Sequence, residues 1–319
     1  MPFNLAEFPE AFDAPNHLTH NSAWIYHIPM VPVILRLLRP NAFVELGTFR
    51  GDSYMAFCQT VLKAGLPTQC TAIDTWRGDA HAGFYGPQIL ELLRQAHDPR
   101  YGAFSTLKQA TFDEAVGTFA DGSIDLLHID GLHTYEAVKH DFETWRPKLS
   151  DRGVVLFHDT TIREKGFGVW KLWEEVSAGR PHFNVPYGCG LGLLAVGNAV
   201  PAEFLEFLGA LERDHATILP PMIALGRRNE LLRSCLVMVK HFEELQDLAN
   251  QWRTLMGQTV HQATPSGTKA WEDPVTYSAQ ATKDVAKMAG DAVQLLTEIN
   301  RLKRRAMGMP RPMPHAASN

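Results

Sequence analysis

The sequence predicts an α/β fold in which helices cover both faces of a doubly wound parallel sheet. Through the first two hundred residues or so, short apolar segments alternate with amphipathic ones. This alternation is typical of strands buried between two helical layers. Polar residues follow several of the apolar segments directly, and ligands of such sheets bind beyond the carboxyl ends of the strands. The sequence therefore also predicts where a site lies.

Each predicted element has its own pattern. A helical segment from Trp24 to Leu38 has candidate caps at Asn21 and Ser22 and contains two prolines. Continuous apolar character predicts buried strands at residues 42–46, 68–73, 105–110, 124–130 and 153–157. Apolar residues at helical spacing predict helices at residues 52–63, 89–95, 112–119, 138–145 and 169–176. Residues 183–185 and 191–196 flank a glycine-containing turn and predict a closing antiparallel hairpin.

One compact domain with extensions on both sides is expected. An irregular lead-in over residues 1–20 precedes a domain at residues 21–200. After it come a helical region, a linker, an amphipathic helix and a disordered tail, at residues 201–257, 258–274, 275–308 and 309–319. Between residues 285 and 306, apolar side chains recur at alternating spacings of three and four. That spacing favours a helical hairpin or a short coiled coil, through which copies of the chain would form a homo-oligomer.

Composition excludes several classes of function. Of the 319 residues, 45% are hydrophobic and 20% are charged, as in globular proteins, and the net charge of -5 disfavours nucleic acid as a partner. The four cysteines form no CxxC pair, which disfavours a zinc site and a disulfide framework. Residues 28–38 are too short for a membrane span, and the N-terminal segment lacks the apolar core of a signal peptide. A cytoplasmic protein is expected.

The turn after the first strand has the features of a cofactor-binding turn. It holds Gly47 and Gly51 but lacks the third glycine with which dinucleotide sites place a diphosphate at a helix N-terminus. Glu45 precedes the turn, and an acidic strand end suits an ammonium group. S-adenosylmethionine carries an ammonium, a carboxylate and a sulfonium but no phosphate, so the turn suits it better than NAD. Thr48 and Ser53 are expected to contact the same cofactor.

The ends of the second and third strands extend this cofactor site. Asp74 stands where an acidic side chain accepts hydrogen bonds from ribose hydroxyls. Thr75 and Trp76 follow it and are expected to lie against the cofactor, while Thr111 and Phe112 lie where adenine contacts are common in this fold. A helix-capping or surface role for Asp74 is the alternative. Acidic residues at two neighbouring strand ends favour a cofactor that contains a nucleoside.

Four motifs together resemble a known family. They are Glu-Leu-Gly-Thr-x-x-Gly (45–51), Ala-Ile-Asp-Thr-Trp (72–76), Ile-Asp-Leu-Leu-His-Ile-Asp-Gly-Leu-His-Thr-Tyr-Glu (124–136) and Gly-Val-Val-Leu-Phe-His-Asp (153–159). Over residues 20–198 the chain resembles class I S-adenosylmethionine-dependent methyltransferases of the methyltransferase 24 type, which are similar to bacterial sugar and antibiotic O-methyltransferases. The resemblance implies a seven-stranded Rossmann-like sheet of order 3-2-1-4-5-7-6, with a C-terminal helical extension specific to this chain, and methyl transfer to an oxygen.

The same resemblance implies a divalent cation site. Metal-dependent relatives use an Asp at the position of Asp130 and acidic residues at positions 158 and 159. This chain has His158 and Asp159 there. Magnesium prefers oxygen ligands, whereas imidazole suits zinc, manganese or iron better. The set Asp130, His158 and Asp159 is therefore expected to hold Mg²⁺ or another divalent cation, or to serve only the local turns.

Methyl transfer to a hydroxyl needs a base, and histidine is suited to that role because its ordinary pKa lies near neutral pH. His133 follows the fourth strand and His158 ends the fifth, so both are candidates beside Asp130. Some relatives use an Asp at the position of Leu132, and that role does not transfer to this chain. His133 is the favoured base, and a backbone-bonded residue at a helix start is the alternative.

The acceptor is expected to meet the loop at residues 74–86. Asp79, His81 and Tyr85 combine acidic and aromatic side chains, a combination that suits a sugar or another small-molecule or glycan hydroxyl. Trp24 and His27 are expected to cap the pocket, with ordinary packing as the alternative. Three further functions stay open at this point: N- or catechol-type methylation, an inactive cofactor-binding module that acts through its C-terminal helices, and an NAD dehydrogenase.

Overall fold

The computed structural model describes residues 3–19 and 22–263. The chain divides into two compact units, residues 1–230 and 231–319. The candidate cap Asn21, the predicted helix at residues 275–308 with its heptad pattern, and the tail at 309–319 lie outside the described residues. Residues 258–263, which were assigned to the predicted linker, are helical.

A seven-stranded sheet organises the first unit. Its strands are β1 Ala42–Leu46, β2 Gln69–Asp74, β3 Ser105–Gln109, β4 Ile124–Ile129, β5 Leu149–His158, β6 His182–Val185 and β7 Leu191–Ala195. Their order across the sheet is β3-β2-β1-β4-β5-β7-β6. The pairs among β1 to β5 are parallel, while β7 is antiparallel to both β5 and β6. The predicted fold class and strand order are confirmed.

Helices cover the sheet, and one long helix follows its last strand. They are α1 Val31–Leu38, α2 Asp52–Ala64, α3 Gln88–Tyr101, α4 Phe112–Val116, α5 Tyr135–Trp145, α6 Val169–Ser177 and α7 Ala202–Ala263. Short 3-10 turns lie at Leu5–Glu7, Pro9–Phe12, Trp24–Tyr26, Ile28–Met30 and Arg146–Lys148. The lead-in is thus partly helical. The segment before α1 forms 3-10 turns rather than one α-helix, because Pro29 and Pro32 lack the N–H that a continuous helix needs.

Two elements differ in extent from the prediction. Helix α3 has 14 residues, seven more than predicted, because Leu93, His97 and Tyr101 continue its buried face at helical spacing. Strand β5 starts at Leu149, ahead of the predicted residue 153, with a shift of register against β4. A two-stranded ribbon of Gly78–Asp79 and Gly83–Phe84, missed by the sequence pattern, lies between β2 and α3.

The sheet is buried on both faces, as its strand pattern requires. Successive residues of β4 belong to different cores: Leu126 packs with the N-terminal turns, α1, α2 and α7, whereas Leu127 packs with α5 and α6. Val154 and Val155 of β5 divide in the same way. Because neighbouring side chains of a strand point to opposite faces, an entirely apolar strand must be covered twice. Loops at the strand ends are left to form the site.

Helix α7 departs from helical geometry at Asp214, where φ is −145°. Within the first unit its side chains Phe204, Leu211 and Met222 are buried. Arg228 donates hydrogen bonds to the carbonyls of Phe12 and Asp13 and so holds the N-terminal turns. Within the second unit the described leucines include exposed ones such as Leu231 and Leu236. None of the helices in the described ranges is long and apolar enough to cross a membrane.

Candidate active site

A cavity of about 420 Å³ opens at the carboxyl ends of β1, β2, β4 and β5. Most of the predicted site residues line it: Trp24, Gly47, Thr48, Gly51, Ser53, Asp74, Thr75, Asp79, Tyr85, Thr111, Phe112, Asp130, His133, His158 and Asp159. Four predicted residues do not: His27, Glu45, Trp76 and His81. The strand ends of the first unit therefore converge as the sequence predicted.

The turn after β1 is shaped by its glycines. Gly47 and Gly51 have φ of +87° and +84°, values that residues with a Cβ rarely adopt. A Cβ placed on Gly47 would lie 2.1 Å from the carbonyl oxygen of Asp130. Gly47 thus allows the turn to pack against the end of β4, and it also lines the cavity, so its predicted contact with a cofactor stays a prediction. Phe49 shares the left-handed region at φ +48°.

Asp74 ties the turns after β1 and β2 together. One carboxylate oxygen accepts hydrogen bonds from the backbone N–H groups of Thr48 and Phe49 at 2.9 and 2.8 Å. The other oxygen accepts from the N–H of Trp76 at 2.7 Å. Burial raises the pKa of Asp74, although these three donors favour its charged form. A carboxylate has about four lone-pair sites, so three donors leave about one on Asp74, which lines the cavity. The predicted ribose contact stays a prediction.

Glu45 lies beneath the cavity and has a different partner from the one expected. Its side chain is 0% exposed and lies 2.8 Å from Nδ1 of His128, which is also fully buried. Strand alternation explains the difference, because Glu45 and His128 are paired across β1 and β4 and face the same core. The acidic group nearest the helix start is instead Asp52, which lines the cavity and accepts hydrogen bonds from Thr19.

Two carboxylates and two imidazoles meet beyond β4 and β5. Nε2 of His133 lies 2.9 Å from Asp159 Oδ2 and 3.5 Å from Asp130 Oδ1. Nδ1 of His158 lies 3.2 Å from Asp130 Oδ1 and 3.5 Å from Asp159 Oδ1. One ligand atom from each of Asp130, His133 and Asp159 falls within 4.8 Å of the others, a spacing that can hold a metal ion. This group has His133 in place of the predicted ligand His158, which is the more buried imidazole.

Residues 44–160 match the model of a family described as a methyltransferase domain. Over these residues the chain is therefore similar to methyltransferase domains. The matched region contains the turn after β1, Asp74 and the cluster of carboxylates and imidazoles, so it supplies most of the cavity wall, and Trp24 lies outside it.

The chain is also similar to individual proteins. It is 51% identical over 199 residues to the uncharacterized protein y4gI of Sinorhizobium fredii, a match that covers 62% of this chain. The chain spans about a fifth of the length of that relative (21%). Among solved structures, a methyltransferase from Geobacter sulfurreducens has 19% identity and a TM-score of 0.41, covering 53% of this chain and 78% of its own. The O-methyltransferase TomG from Streptomyces achromogenes, in complex with SAM, has 14% identity and a TM-score of 0.41, covering 60% and 89%.

Electrostatics set the charge states around the cluster of carboxylates and imidazoles. Burial opposes the charged imidazole of His133, but hydrogen bonds to Asp130 and Asp159 outweigh it and raise its pKa to about 9. Burial likewise opposes the charge of Asp159, yet the positively charged imidazole of His158 and the hydrogen bond from His133 lower the pKa of Asp159 to about 2. Without a bound cation, both carboxylates are therefore ionised at neutral pH and His133 is a proton donor. It becomes a base only after losing that proton.

Asp159 has a strained backbone. Its φ is +60°, in the left-handed region that favours glycine and that asparagine or aspartate tolerate better than most residues. The adjacent Thr160 donates a hydrogen bond to Asn184 at 2.6 Å, and the N–H of Ile162 donates to the carbonyl of Asp159. Strain of this kind persists where surrounding contacts hold it and is concentrated at functional sites.

The loop after β2 supplies the other cavity wall. Asp79 accepts hydrogen bonds from the N–H groups of His81 and Ala82, both at 2.7 Å, and so fixes the ribbon turn. The ring of Tyr85 lies 4.9 Å from that of Phe49. Trp76, a predicted cofactor contact, is only 1% exposed and donates its indole N–H to the carbonyl of Phe49. Trp76 therefore supports the wall from behind.

Trp24 and His27 differ in position, although both were predicted to cap the pocket. Trp24 lines the cavity, with its ring 4.7 Å from that of His128 and 5.7 Å from that of His158. His27 is fully buried and its Nε2 lies 2.7 Å from the carbonyl oxygen of Gly188. Burial lowers the pKa of His27 to about 3, so the ring is neutral at physiological pH. For His27 the packing alternative is the one the structure shows.

Sequence reasoning missed three residues that shape the site. The sequence pattern places Asp52 only at the start of a predicted helix and His128 only within an apolar strand. His128 precedes Asp130 by two positions, so strand alternation could have placed both on one face. Phe167, from the segment before α6, stacks on His133 with ring centroids 4.6 Å apart. No periodicity marks Phe167, because irregular backbone brings it to the site.

Proposed function

We propose that this domain transfers a methyl group from S-adenosylmethionine to a hydroxyl oxygen of a small-molecule or glycan acceptor, with a divalent cation at Asp130, His133 and Asp159. One observation carries the proposal: an acidic cavity at the strand ends whose wall ends in a cluster of metal-ligand type. Aspartates dominate the charged residues that line it: Asp52, Asp74, Asp79, Asp130 and Asp159. Among the described residues that line the cavity, Arg50 is the one lysine or arginine.

The acidic wall supports a positively charged cofactor. Asp52 stands in the first turn of α2 and lines the cavity, at the place where a dinucleotide diphosphate would meet a helix N-terminus. A carboxylate there repels phosphate and attracts an ammonium or sulfonium group. Thr48 adds a buried hydroxyl without a hydrogen-bond partner among the described residues. These features favour S-adenosylmethionine over NAD.

The residues would divide the binding work as follows. The remaining lone-pair site of Asp74 would accept from a ribose hydroxyl, and Thr111 and Phe112 would contact the adenine. Asp52 would offset the ammonium group. S-adenosylmethionine supplies an electrophilic methyl group, and alignment of an acceptor oxygen with it lowers the barrier by positioning.

The donor set of the cluster suits a transition metal. Two carboxylates and one imidazole match manganese, iron or zinc better than magnesium. A bound cation lowers the pKa of a coordinated hydroxyl and orients it. Because metal ligands must be deprotonated, binding would displace the proton that His133 shares with Asp159. His158, a cation beside both carboxylates, would balance their charge and would receive the acceptor proton only after losing its own.

Calorimetry on the full chain tests the cofactor assignment. S-adenosylmethionine and S-adenosylhomocysteine are expected to bind, and NAD is expected to show no comparable heat. Tighter binding of NAD would contradict the proposal. Transfer of a labelled methyl group to a panel of sugars and phenols then tests the reaction. Chelation by EDTA is expected to abolish transfer and added Mn²⁺ to restore it, whereas full activity in EDTA would remove the cation from the proposal.

A further inference from the structure

Three nearly parallel rings close one side of the cluster. The ring of Phe167 lies 4.6 Å from His133 at an interplanar angle of 8°, and 4.7 Å from His81 at 9°. The two imidazoles lie 5.6 Å apart at 16°. His81 belongs to the ribbon turn, His133 to the loop after β4, and Phe167 to the segment before α6. The stack therefore joins three segments that are distant in sequence.

Backbone contacts hold Phe167 in register with His133. The N–H of Gly168 donates to the carbonyl of His133 at 2.8 Å, and the N–H of Phe167 donates to the carbonyl of Glu164 at 3.0 Å. A Cβ on Gly168 would lie 2.4 Å from the backbone nitrogen of Tyr135, so glycine is needed for this approach. These contacts hold the backbone of Phe167 beside that of His133, from which the ring of Phe167 reaches the imidazole.

His133 needs such support because its second nitrogen has none. Metal-binding histidines almost always donate their other ring N–H to a carboxylate, carbonyl or water, and this bond fixes the plane of the ring. Nδ1 of His133 is buried and has no hydrogen-bond partner among the described residues. Near-parallel aromatic contact also restricts rotation of a ring. The stack occupies the place of the missing hydrogen bond.

We propose that Phe167 is a positioning residue: its ring holds the imidazole of His133 so that Nε2 faces Asp130 and Asp159 in a geometry ready for a divalent cation. The inference rests on the cation site of the proposed function. In this role the ring of Phe167 fixes the plane of the imidazole, as a hydrogen bond to the second ring nitrogen does at most metal-binding histidines. His81 extends the stack and brings the ribbon turn against the same side.

Calorimetric titration of the full chain with Mn²⁺ tests this role through Phe167→Leu. We expect its affinity for Mn²⁺ to fall about tenfold, within the 10–100-fold range for residues that orient a ligand. Affinity for S-adenosylmethionine is expected to stay within about twofold. Phe167→Tyr keeps the ring and is expected to restore binding. Phe84→Leu is the matched control, because Phe84 lies on the ribbon but is 83% exposed.

Two further measurements keep the positioning role separate from folding and from the proposed function. In a His133→Ala background, Phe167→Leu is expected to cause no additional loss of Mn²⁺ affinity; a persistent loss would overturn the inference. NMR signals of the His133 ring, read without metal, are expected to shift in Phe167→Leu and to return in Phe167→Tyr. Unchanged ring signals would overturn the inference, whether or not the wild-type protein binds Mn²⁺. Absence of Mn²⁺ binding by the wild-type protein would itself count against the proposed cation site.

Discussion

The two sides of the cavity wall use the same kind of residue in different ways. At the ends of β1 and β2, Glu45 pairs with buried His128, and Asp74 accepts three backbone N–H groups. At the ends of β4 and β5, Asp130 and Asp159 are paired with histidine side chains. A backbone N–H cannot leave its carboxylate without a change of fold, whereas a histidine proton can be replaced by a cation.

An acidic strand end therefore has no fixed meaning in this fold. On the β1–β2 side Asp74 holds the turns that form the cavity, and Glu45 is paired with a histidine in the core. On the β4–β5 side the carboxylates line the cavity beside histidines whose protons a bound cation would displace. The difference follows from which donors the local backbone presents. It can be tested by removing one carboxylate from each side and comparing stability with ligand binding.

The largest loss of stability is expected for Asp74→Ala. The substitution leaves three N–H groups without their charged acceptor, each bond of this type being worth about 1.5–3 kcal/mol. Relaxation and water recover part of this, so we expect the free energy of unfolding to fall by about 4 kcal/mol, measured by urea denaturation. Asp79→Ala, which removes the acceptor of two N–H groups in the ribbon turn, is the control and should cost clearly less. Equal losses would show that Asp74 does not hold the turns.

Asp159→Asn probes the other side of the wall. Asparagine tolerates the left-handed backbone at this position but removes the negative charge. We expect the affinity for Mn²⁺ to fall at least about 100-fold, more than for an outer residue, while the melting temperature falls less than in Asp74→Ala. Calorimetry and thermal unfolding measure the two quantities. A large loss of stability with intact Mn²⁺ binding would place Asp159 in the same structural role as Asp74.

The sequence predicts strands β1, β2, β4 and β5 and the cavity at their ends well, because burial determines both the hydrophobic pattern and the positions of these strands. Apolar strands and their polar ends are set by burial, which acts on each segment separately, so strand order and most cavity residues follow from motifs. The partner of each carboxylate depends on contacts between segments. Glu45 was therefore expected in the cavity, although His128 draws it into the core.

Residues on irregular backbone were the hardest to predict. Trp76 lies two positions after Asp74, yet its φ of +50° turns the indole behind the wall. Phe167 reaches His133 through a segment without regular structure. Neither position has a periodic pattern, since periodicity reports helices and strands alone. A local backbone conformation decided by long-range packing leaves little trace in one sequence.

The smallest effect concerns a carboxylate that serves neither side of the wall. Burial raises the pKa of Asp141, on α5, to about 7. The unfolded chain loses this proton near pH 4, so the folded state binds more protons between about pH 4 and 7 and stability falls as the pH rises through that window.

The substitution Asp141→Asn removes this pH-dependent loss of stability. We expect it to raise the free energy of unfolding by about 2 kcal/mol at pH 8, half the value that the full pKa difference would give at 1.36 kcal/mol per unit, and to change little at pH 4. Glu143→Gln, an exposed change on the same helix, is the control for lost charge alone. If Asp141→Asn stabilised the protein equally at both pH values, a change in packing and not the titration of Asp141 would be the cause. The contrast between this carboxylate, whose pKa is raised by burial, and the carboxylates that have hydrogen-bond partners would then be wrong.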